Sequence, residues 1–111
     1  MKISSFTPPA RLLKTLGHPT RLAIVDTLRA GEACVCHLEA VLHCRQAYLS
    51  QQLMILREAG VVRVRREGLN IYYQLTDSQT NAVLEAVLPP RSLSTKNKRV
   101  ADCPCPHCAT K

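Results

Sequence analysis

The sequence predicts a mainly α-helical domain that carries one two-stranded β-hairpin between its fourth and last helices. As far as Gly60, leucine and valine recur every three or four residues, which is the spacing of one helical face. From Val62 the apolar residues instead alternate with arginine, the period of a half-buried strand. Helical spacing returns after Thr76-Asp77, a pair that can cap a helix. A chain of 111 residues is long enough for one such domain with a modest core.

The amino-terminal part predicts two helices, over about 8–16 and 19–29. Leucines recur on one side of the first helix, and Gly17 ends it. Pro19 suits the first position of the second helix, because its missing N–H would have no partner there. The leucines and valines of both helices should therefore face a common core.

The next segment predicts a short helix over about 34–42, a turn, and a longer helix over about 46–59. At 100° per residue, one face of the longer helix is apolar and should pack inward, and the opposite face is mostly polar. The inward residues are Leu49, Leu53 and Leu56, and the outward residues are Ala47, Tyr48, Ser50, Gln51 and Met54. Gly60 is well placed just past the helix end.

The hairpin begins where Val62 and Val64 alternate with arginines, so that its outer face is basic. Glu67-Gly68 supplies the turn, and 71–75 is the returning strand. A last helix over about 78–88 is stopped by two prolines. Its apolar residues spread widely around the axis, so we expect it to contact both the core and a partner.

Charge and composition separate a domain over 1–90 from a flexible basic tail with a cysteine-rich end over 91–111. Fifteen lysines and arginines against eight acidic residues give a net charge of +7, which favours a polyanionic partner. Nucleic acid ranks ahead of a membrane, because no apolar stretch is long enough to span a bilayer. The start of the chain lacks a secretory signal, so we expect a cytoplasmic protein. There, six cysteines are better metal ligands or redox switches than disulfides.

A short helix, a turn, a longer helix and a hairpin together are typical of a winged helix-turn-helix, whose second helix enters the major groove of double-stranded DNA. Amide and hydroxyl groups read base edges, and arginines hold phosphates. The residues expected to read bases are Gln46, Tyr48, Ser50 and Gln51. Those expected to hold phosphates or to reach the minor groove are Arg45, Arg63, Arg65 and Arg66. A merely solvated polar face is the alternative for any one helix.

Several segments, taken in order, resemble the ArsR/SmtB family of winged-helix metalloregulators. They are Leu16-Gly17-His18-Pro19-Thr20-Arg21-Leu22, Cys34-Val35-Cys36, Gln46 through Leu56, Leu56-Arg57-Glu58-Ala59-Gly60-Val61-Val62 and Arg66-Glu67-Gly68. The match runs from about residue 12 to residue 88. It implies a homodimer, joined through its first and last helices, that represses metal or metalloid resistance operons and leaves the operator when it binds an inducer.

The chain also departs from the family pattern. His18 replaces an aspartate often found before Pro-Thr-Arg, so the second helix should lose a good N-cap. His37 stands where an acidic residue is usual, and Cys44 replaces an apolar residue, which makes it a candidate small core residue. The last helix lacks the histidine and acidic spacing of the zinc-sensing members. A zinc or nickel site on that helix is therefore not expected.

The resemblance points to Cys34 and Cys36 as inducer ligands, and their position supports this. A thiol in the first turn of a helix is favoured as thiolate, the form that binds soft metals. Two residues on a regular helix lie about 200° apart, so the sulfurs would diverge, whereas in an extended segment they share a face. We therefore expect chelation to unwind the start of this helix. This would misplace the recognition helix, the longer helix over about 46–59 that enters the major groove.

A soft ion needs more than two thiolates, and the tail offers Cys103, Cys105 and Cys108, with His107 as a fourth candidate. Three thiolates suit arsenite or antimonite, and four suit Cd(II), Pb(II) or Zn(II). The tail could serve its own protomer or the partner. It could also form a separate structural zinc site or a redox pair.

The sequence thus predicts a repressor that is released by a thiophilic metalloid or metal, with arsenite first and Cd(II) or Pb(II) next. A persulfide- or oxidant-sensing repressor is the first alternative, because two cysteines can join without metal. A metal-sequestering or metal-delivery protein is the second. An enzyme is not expected, since the chain offers no catalytic triad, no paired carboxylates beside a histidine and no phosphate-cradling glycine loop. No organic cofactor is expected either.

Overall fold

The computed structural model describes residues 2–76 and 78–88, and the helices and strands follow the predicted order. Its elements are α1 (Thr7–Leu16), α2 (Pro19–Arg29), α3 (Val35–Leu42), α4 (Gln46–Glu58), β1 (Val62–Glu67), β2 (Asn70–Leu75) and α5 (Ser78–Val87). The predicted fold class is confirmed. A short 3-10 helix over Ile3–Phe6, which the sequence did not predict, precedes α1. The predicted tail over 91–111 lies outside the described residues.

The core lies where α2, α3 and α4 pack together, with β1 and α5 closing it. The inward leucines of α4 are buried, as predicted from their spacing. Ile24 and Val25 of α2, Leu38 of α3 and Leu84 of α5 are buried in the same cluster. Burying a leucine or isoleucine side chain contributes on the order of 2 kcal/mol, so this shared cluster fixes α4 against the other helices.

His18 corrects one expectation from the sequence. The loss of aspartate was expected to leave α2 without a side-chain cap, but the Nδ1 atom of His18 accepts a hydrogen bond from the Thr20 N–H at 3.2 Å. The backbone of His18 is extended, as an N-cap requires. An imidazole nitrogen therefore replaces the carboxylate oxygen as the acceptor, and the start of α2 is capped.

The turn between α3 and α4 is closed by His43, which has φ 55°. This left-handed conformation is uncommon for a residue other than glycine. The His43 N–H donates to the Glu39 carbonyl at 2.8 Å, which satisfies an acceptor in the last turn of α3. The helix-turn-helix thus has a defined turn rather than a flexible link.

The hairpin, here called the wing, consists of β1, β2 and the turn between them. The strands are antiparallel, with Val62 opposite Leu75 and Glu67 opposite Asn70. Ala33, in the segment before α3, forms a further antiparallel bridge to Tyr73 of β2. The two residues exchange N–H···O hydrogen bonds of 2.8 and 3.1 Å. The wing is therefore joined directly to the segment that leads into α3.

None of the helices in residues 2–76 and 78–88 is long and apolar enough to cross a membrane.

Candidate nucleic-acid interface and thiol site

The exposed face of α4 carries the side chains expected to read bases. Gln46, Tyr48, Ser50 and Gln51 are all exposed, because the leucines turn the opposite face inward. Arg45 is exposed at the N-cap of this helix. Amide, hydroxyl and guanidinium groups thus share one surface, and that combination can bond both base edges and phosphates.

Contacts from α2 hold α4 at its amino-terminal half. Arg21 donates from Nε to the Thr15 carbonyl at 2.6 Å and from Nη1 to Oε1 of Gln52 at 3.1 Å. Gln52 is only 8% exposed. The hydroxyls of Thr20 and Tyr48 lie 3.1 Å apart. Sequence reasoning missed Gln52, although its place at the edge of the leucine stripe was a signal that it is partly enclosed.

The wing arginines fall into two kinds. Arg63 and Arg66 are exposed, and Arg63 donates to Oε1 of Gln74 across the hairpin at 3.0 Å. Arg65 is bound instead by two carboxylates, those of Glu32 and Glu67. The hydrogen bonds that Arg65 donates, to Glu32 first and to Glu67 second, raise the pKa of this guanidinium above its ordinary value. A phosphate contact by Arg65 stays a prediction, and its charge is already offset within the protein.

The two cysteines before and in α3 lie side by side. Cys34 is the N-cap of α3 with extended backbone, φ −85° and ψ 168°, and its carbonyl accepts the Leu38 N–H. The Sγ atoms of Cys34 and Cys36 are 2.8 Å apart. The two sulfurs thus meet at an extended helix start, the conformation expected for a chelating pair, and the unwinding of α3 by an inducer stays a prediction. The helix begins at Val35, so one cysteine lies outside the helical rotation and its side chain can turn toward the other.

An open groove of about 420 Å³ runs beside this cysteine pair. Its walls come from α3, from the first residue of α4 and from the wing. The lining residues are Cys34, Val35, Cys36, Glu39, Gln46, Leu69, Asn70 and Ile71. A ligand held by the sulfurs would thus lie between the recognition helix and the wing, an arrangement that the sequence did not predict.

The described residues bring together two sulfur donors that could bind a soft ion. Within 2–76 and 78–88, no group of three or more His, Cys, Asp or Glu side chains is arranged to hold a metal ion. His37 is buried beside the pair. Cys44 is half-buried against the core, close to its predicted role, and its thiol donates to the Leu42 carbonyl at 3.5 Å. The remaining predicted donors lie outside the described residues; they are Cys103, Cys105, His107 and Cys108.

The chain is similar in sequence to known bacterial regulators. Residues 18–64 match the family model described as "Bacterial regulatory protein, arsR family". A biofilm growth-associated repressor of Agrobacterium fabrum is 51% identical over 81 residues, which cover 73% of this chain and 69% of that protein. The arsenical resistance operon repressor of Escherichia coli is 41% identical over 73 residues, covering 65% of this chain and 62% of that protein.

The fold is also similar to that of solved regulators. Reduced HlyU from Vibrio cholerae superposes with a TM-score of 0.71 at 31% identity, over 75% of this chain and 87% of that chain. The resemblance therefore extends from the matched segment to most of the described domain.

Proposed function

Because the chain belongs to the ArsR family of bacterial regulatory proteins and is a transcriptional repressor, we propose that it leaves its operator when a thiophilic species binds Cys34 and Cys36. One observation carries the proposal: the sulfurs lie 2.8 Å apart in a groove shared by the recognition helix and the wing. Arsenite or antimonite is the first candidate inducer, and Cd(II) or Pb(II) is the next. The relatives of this chain are named as repressors, in agreement with the sequence-based expectation that the chain is not an enzyme.

In the DNA-bound state, the exposed face of α4 lies in the major groove. Gln46, Ser50 and Gln51 offer hydrogen bonds to base edges, and Tyr48 adds a hydroxyl. The exposed cations Arg45, Arg63 and Arg66 hold the phosphates on either side. The formal net charge of +7 supports this partner, since phosphate neutralisation supplies much of the affinity of such proteins.

The inducer chemistry is a ligand exchange without change of oxidation state. Arsenite enters as As(OH)₃, and each thiol that binds forms one As–S bond and releases one water. Two such exchanges use Cys34 and Cys36, and a third uses one of Cys103, Cys105 and Cys108. For Cd(II) or Pb(II), the thiols lose their protons to solvent and bind as thiolates, the ligands that soft ions prefer.

The repressor works as a homodimer. Its first and last helices carry exposed apolar side chains, among them Leu13 at 59% and Val87 at 66% exposed. Apolar surface on these two helices supports a shared dimer interface, because a second copy would remove it from water. Two recognition helices related by the dimer axis then address two half-sites of one operator.

The test uses the reduced full-length protein on fluorescently labelled DNA from its own upstream region. Anisotropy is followed while arsenite, antimonite, Cd(II), Pb(II) and Zn(II) are added separately. Release by one thiophilic species at near-stoichiometric dose is the expected result. Binding that no species reverses would contradict the inducer proposal, and absence of binding at low salt would contradict the operator proposal.

A second candidate is a repressor that responds to oxidants or persulfides, and the same sulfur separation favours it. Two adjacent thiols can lose two protons and two electrons to hydrogen peroxide, which becomes two waters while one S–S bond forms. The similarity to a biofilm growth-associated repressor, whose name states no metal, is compatible with this chemistry. Release of chelator-treated, metal-free protein by peroxide or by an added persulfide, whose sulfane sulfur already carries the needed oxidation level, together with no response to arsenite or Cd(II), would select this candidate.

A further inference from the structure

We propose that Glu32 is a positioning residue that fixes the wing against the cysteine pair, so that ligand binding at Cys34 and Cys36 reaches DNA through the wing. The inference rests on the proposed function for the identity of the ligand. Its structural part, the placement of the wing by Glu32, concerns the ligand-free repressor and can be tested separately.

Backbone hydrogen bonds connect the wing to the residue next to the cysteines. Ala33 exchanges two backbone hydrogen bonds with Tyr73, and Cys34 is the next residue. The segment before α3 is thus joined to β2 by an isolated β-bridge. A movement of the Cys34 backbone must bend or break this bridge, because the hydrogen bonds tolerate only a few tenths of an ångström before they weaken.

The carboxylate of Glu32 is hydrogen-bonded to both strands of the wing. Its oxygens accept from Nε and Nη2 of Arg65 on β1 at 2.9 and 2.5 Å. One of them also accepts from Nε2 of Gln74 on β2 at 2.7 Å. Paired, charge-assisted bonds of this kind fix direction as well as distance. The side chains of Glu32 and Arg65 are 21% and 40% exposed, so solvent weakens their attraction, and the geometry of the bonds is what positions the wing.

Arg65 also has partners on the wing itself. Its guanidinium lies 4.6 Å from the ring centre of Tyr72, a buried residue. It also donates to Glu67 at 3.1 Å. A cation held by two carboxylates over an aromatic ring is well placed to orient the hairpin, and its charge is offset before DNA arrives. The phosphate contacts of the wing then fall to Arg63 and Arg66.

The groove beside the cysteines is partly formed by the wing. Leu69, Asn70 and Ile71 of the wing line the same groove as the two sulfurs. A ligand on the sulfurs therefore meets the wing directly, while the Cys34 backbone meets it through the Ala33 bridge. Both routes displace the hairpin, and Glu32 keeps it in the DNA-binding position until they do.

The experiment compares Glu32→Gln with Glu58→Gln, an exposed glutamate whose replacement makes the same change in net charge. In the absence of inducer, we expect Glu32→Gln to bind the operator about tenfold more weakly and Glu58→Gln to bind at least as tightly as wild type. The ratio of affinities without and with inducer should fall toward one in Glu32→Gln alone. Cd(II) binding, followed by thiolate-to-metal absorption in the ultraviolet, should be unchanged in both variants.

A second pair of variants separates positioning from a direct phosphate contact. A lost phosphate contact lowers the slope of log affinity against log salt by about one. We expect this for Arg63→Ala. Arg65→Ala should weaken binding while the slope keeps its wild-type value. Circular dichroism melting reports on folding of each variant, and the exchanged pair Glu32→Arg with Arg65→Glu should regain part of the lost affinity.

Wild-type operator affinity and wild-type inducer response in Glu32→Gln would overturn the inference. A salt slope lowered by about one in Arg65→Ala would also overturn it, because Arg65 would then be a phosphate ligand. If no thiophilic species releases even the wild-type protein, the proposed function fails. The ligand-free affinities and salt slopes would still decide whether Glu32 positions the wing.

Discussion

Cys34 and Cys36 differ in backbone conformation, and this difference is what makes them a pair. One is an extended N-cap and the other lies in the first turn of α3. Neither lies on α4, and of the predicted base readers only Gln46 borders their groove. Their chemistry and the DNA contacts can therefore be changed independently by substitution.

Replacing either sulfur should separate sensing from DNA binding. We expect Cys34→Ser and Cys36→Ser to keep operator affinity within about twofold and to lose release by the inducer, because serine is a poor ligand for soft ions. Anisotropy with and without inducer measures both quantities. Cys44→Ser, which alters a half-buried thiol away from the groove, is the matched control and should respond like wild type. A folded cysteine variant that fails to bind the operator would contradict the assignment.

His18 permits a test of helix capping. His18→Ala removes the acceptor for the Thr20 N–H and should lower the free energy of unfolding by about 1 kcal/mol. His18→Asn keeps an acceptor and should stay close to wild type. Urea denaturation followed by circular dichroism measures the difference. Wild-type stability in His18→Ala would show that the imidazole bond adds nothing.

At the scale of elements, α4 and the wing should make separable contributions to DNA recognition. Gln51→Ala on α4 should change base preference at one operator position, with a loss of about 1–3 kcal/mol of discrimination there. Arg66→Ala on the wing should weaken binding about equally on every sequence and lower the salt slope by about one. Binding to a set of single-base operator variants at several salt concentrations measures both effects. A uniform loss for Gln51→Ala would mean that it does not read a base.

The sequence predicts most of each element because the leucine stripe of α4 and the arginine alternation of β1 are local patterns. It does not predict the bridge between Ala33 and Tyr73, since a single bridge leaves no periodicity. Nor does it distinguish Arg63 from Arg65, which share a strand face by alternation. Arg65 differs because its carboxylate partner, Glu32, lies 33 residues earlier in the chain. For the same reason, the groove beside the cysteines could not be predicted, because its walls come from three separate segments.

For the whole molecule, the exposed apolar positions of α1 and α5 predict that dimer formation and operator binding are linked. Leu13→Asp and Val87→Asp place a charge on the proposed interface and should shift the protein toward monomer, with at least a tenfold loss of operator affinity. Sedimentation analysis gives the oligomeric state and anisotropy gives the affinity. Leu69→Asp, a comparable change at an exposed wing residue, should leave the oligomeric state unchanged. Wild-type sedimentation of both interface variants would place the interface elsewhere.

His43 has a consequence for how the domain can respond to a ligand. A histidine with φ 55° bears a steric cost of about 1 kcal/mol, but it has fewer alternative conformations than the glycine that this geometry usually favours. The angle between α3 and α4 is thus held with little freedom, and the two helices are expected to move as a rigid body. A disturbance at the start of α3 would then rotate the DNA-reading helix as a whole instead of bending the joint between them. The wing is joined to the same segment through the Ala33 bridge, so a displacement at the start of α3 would reach both DNA-contacting elements from one point.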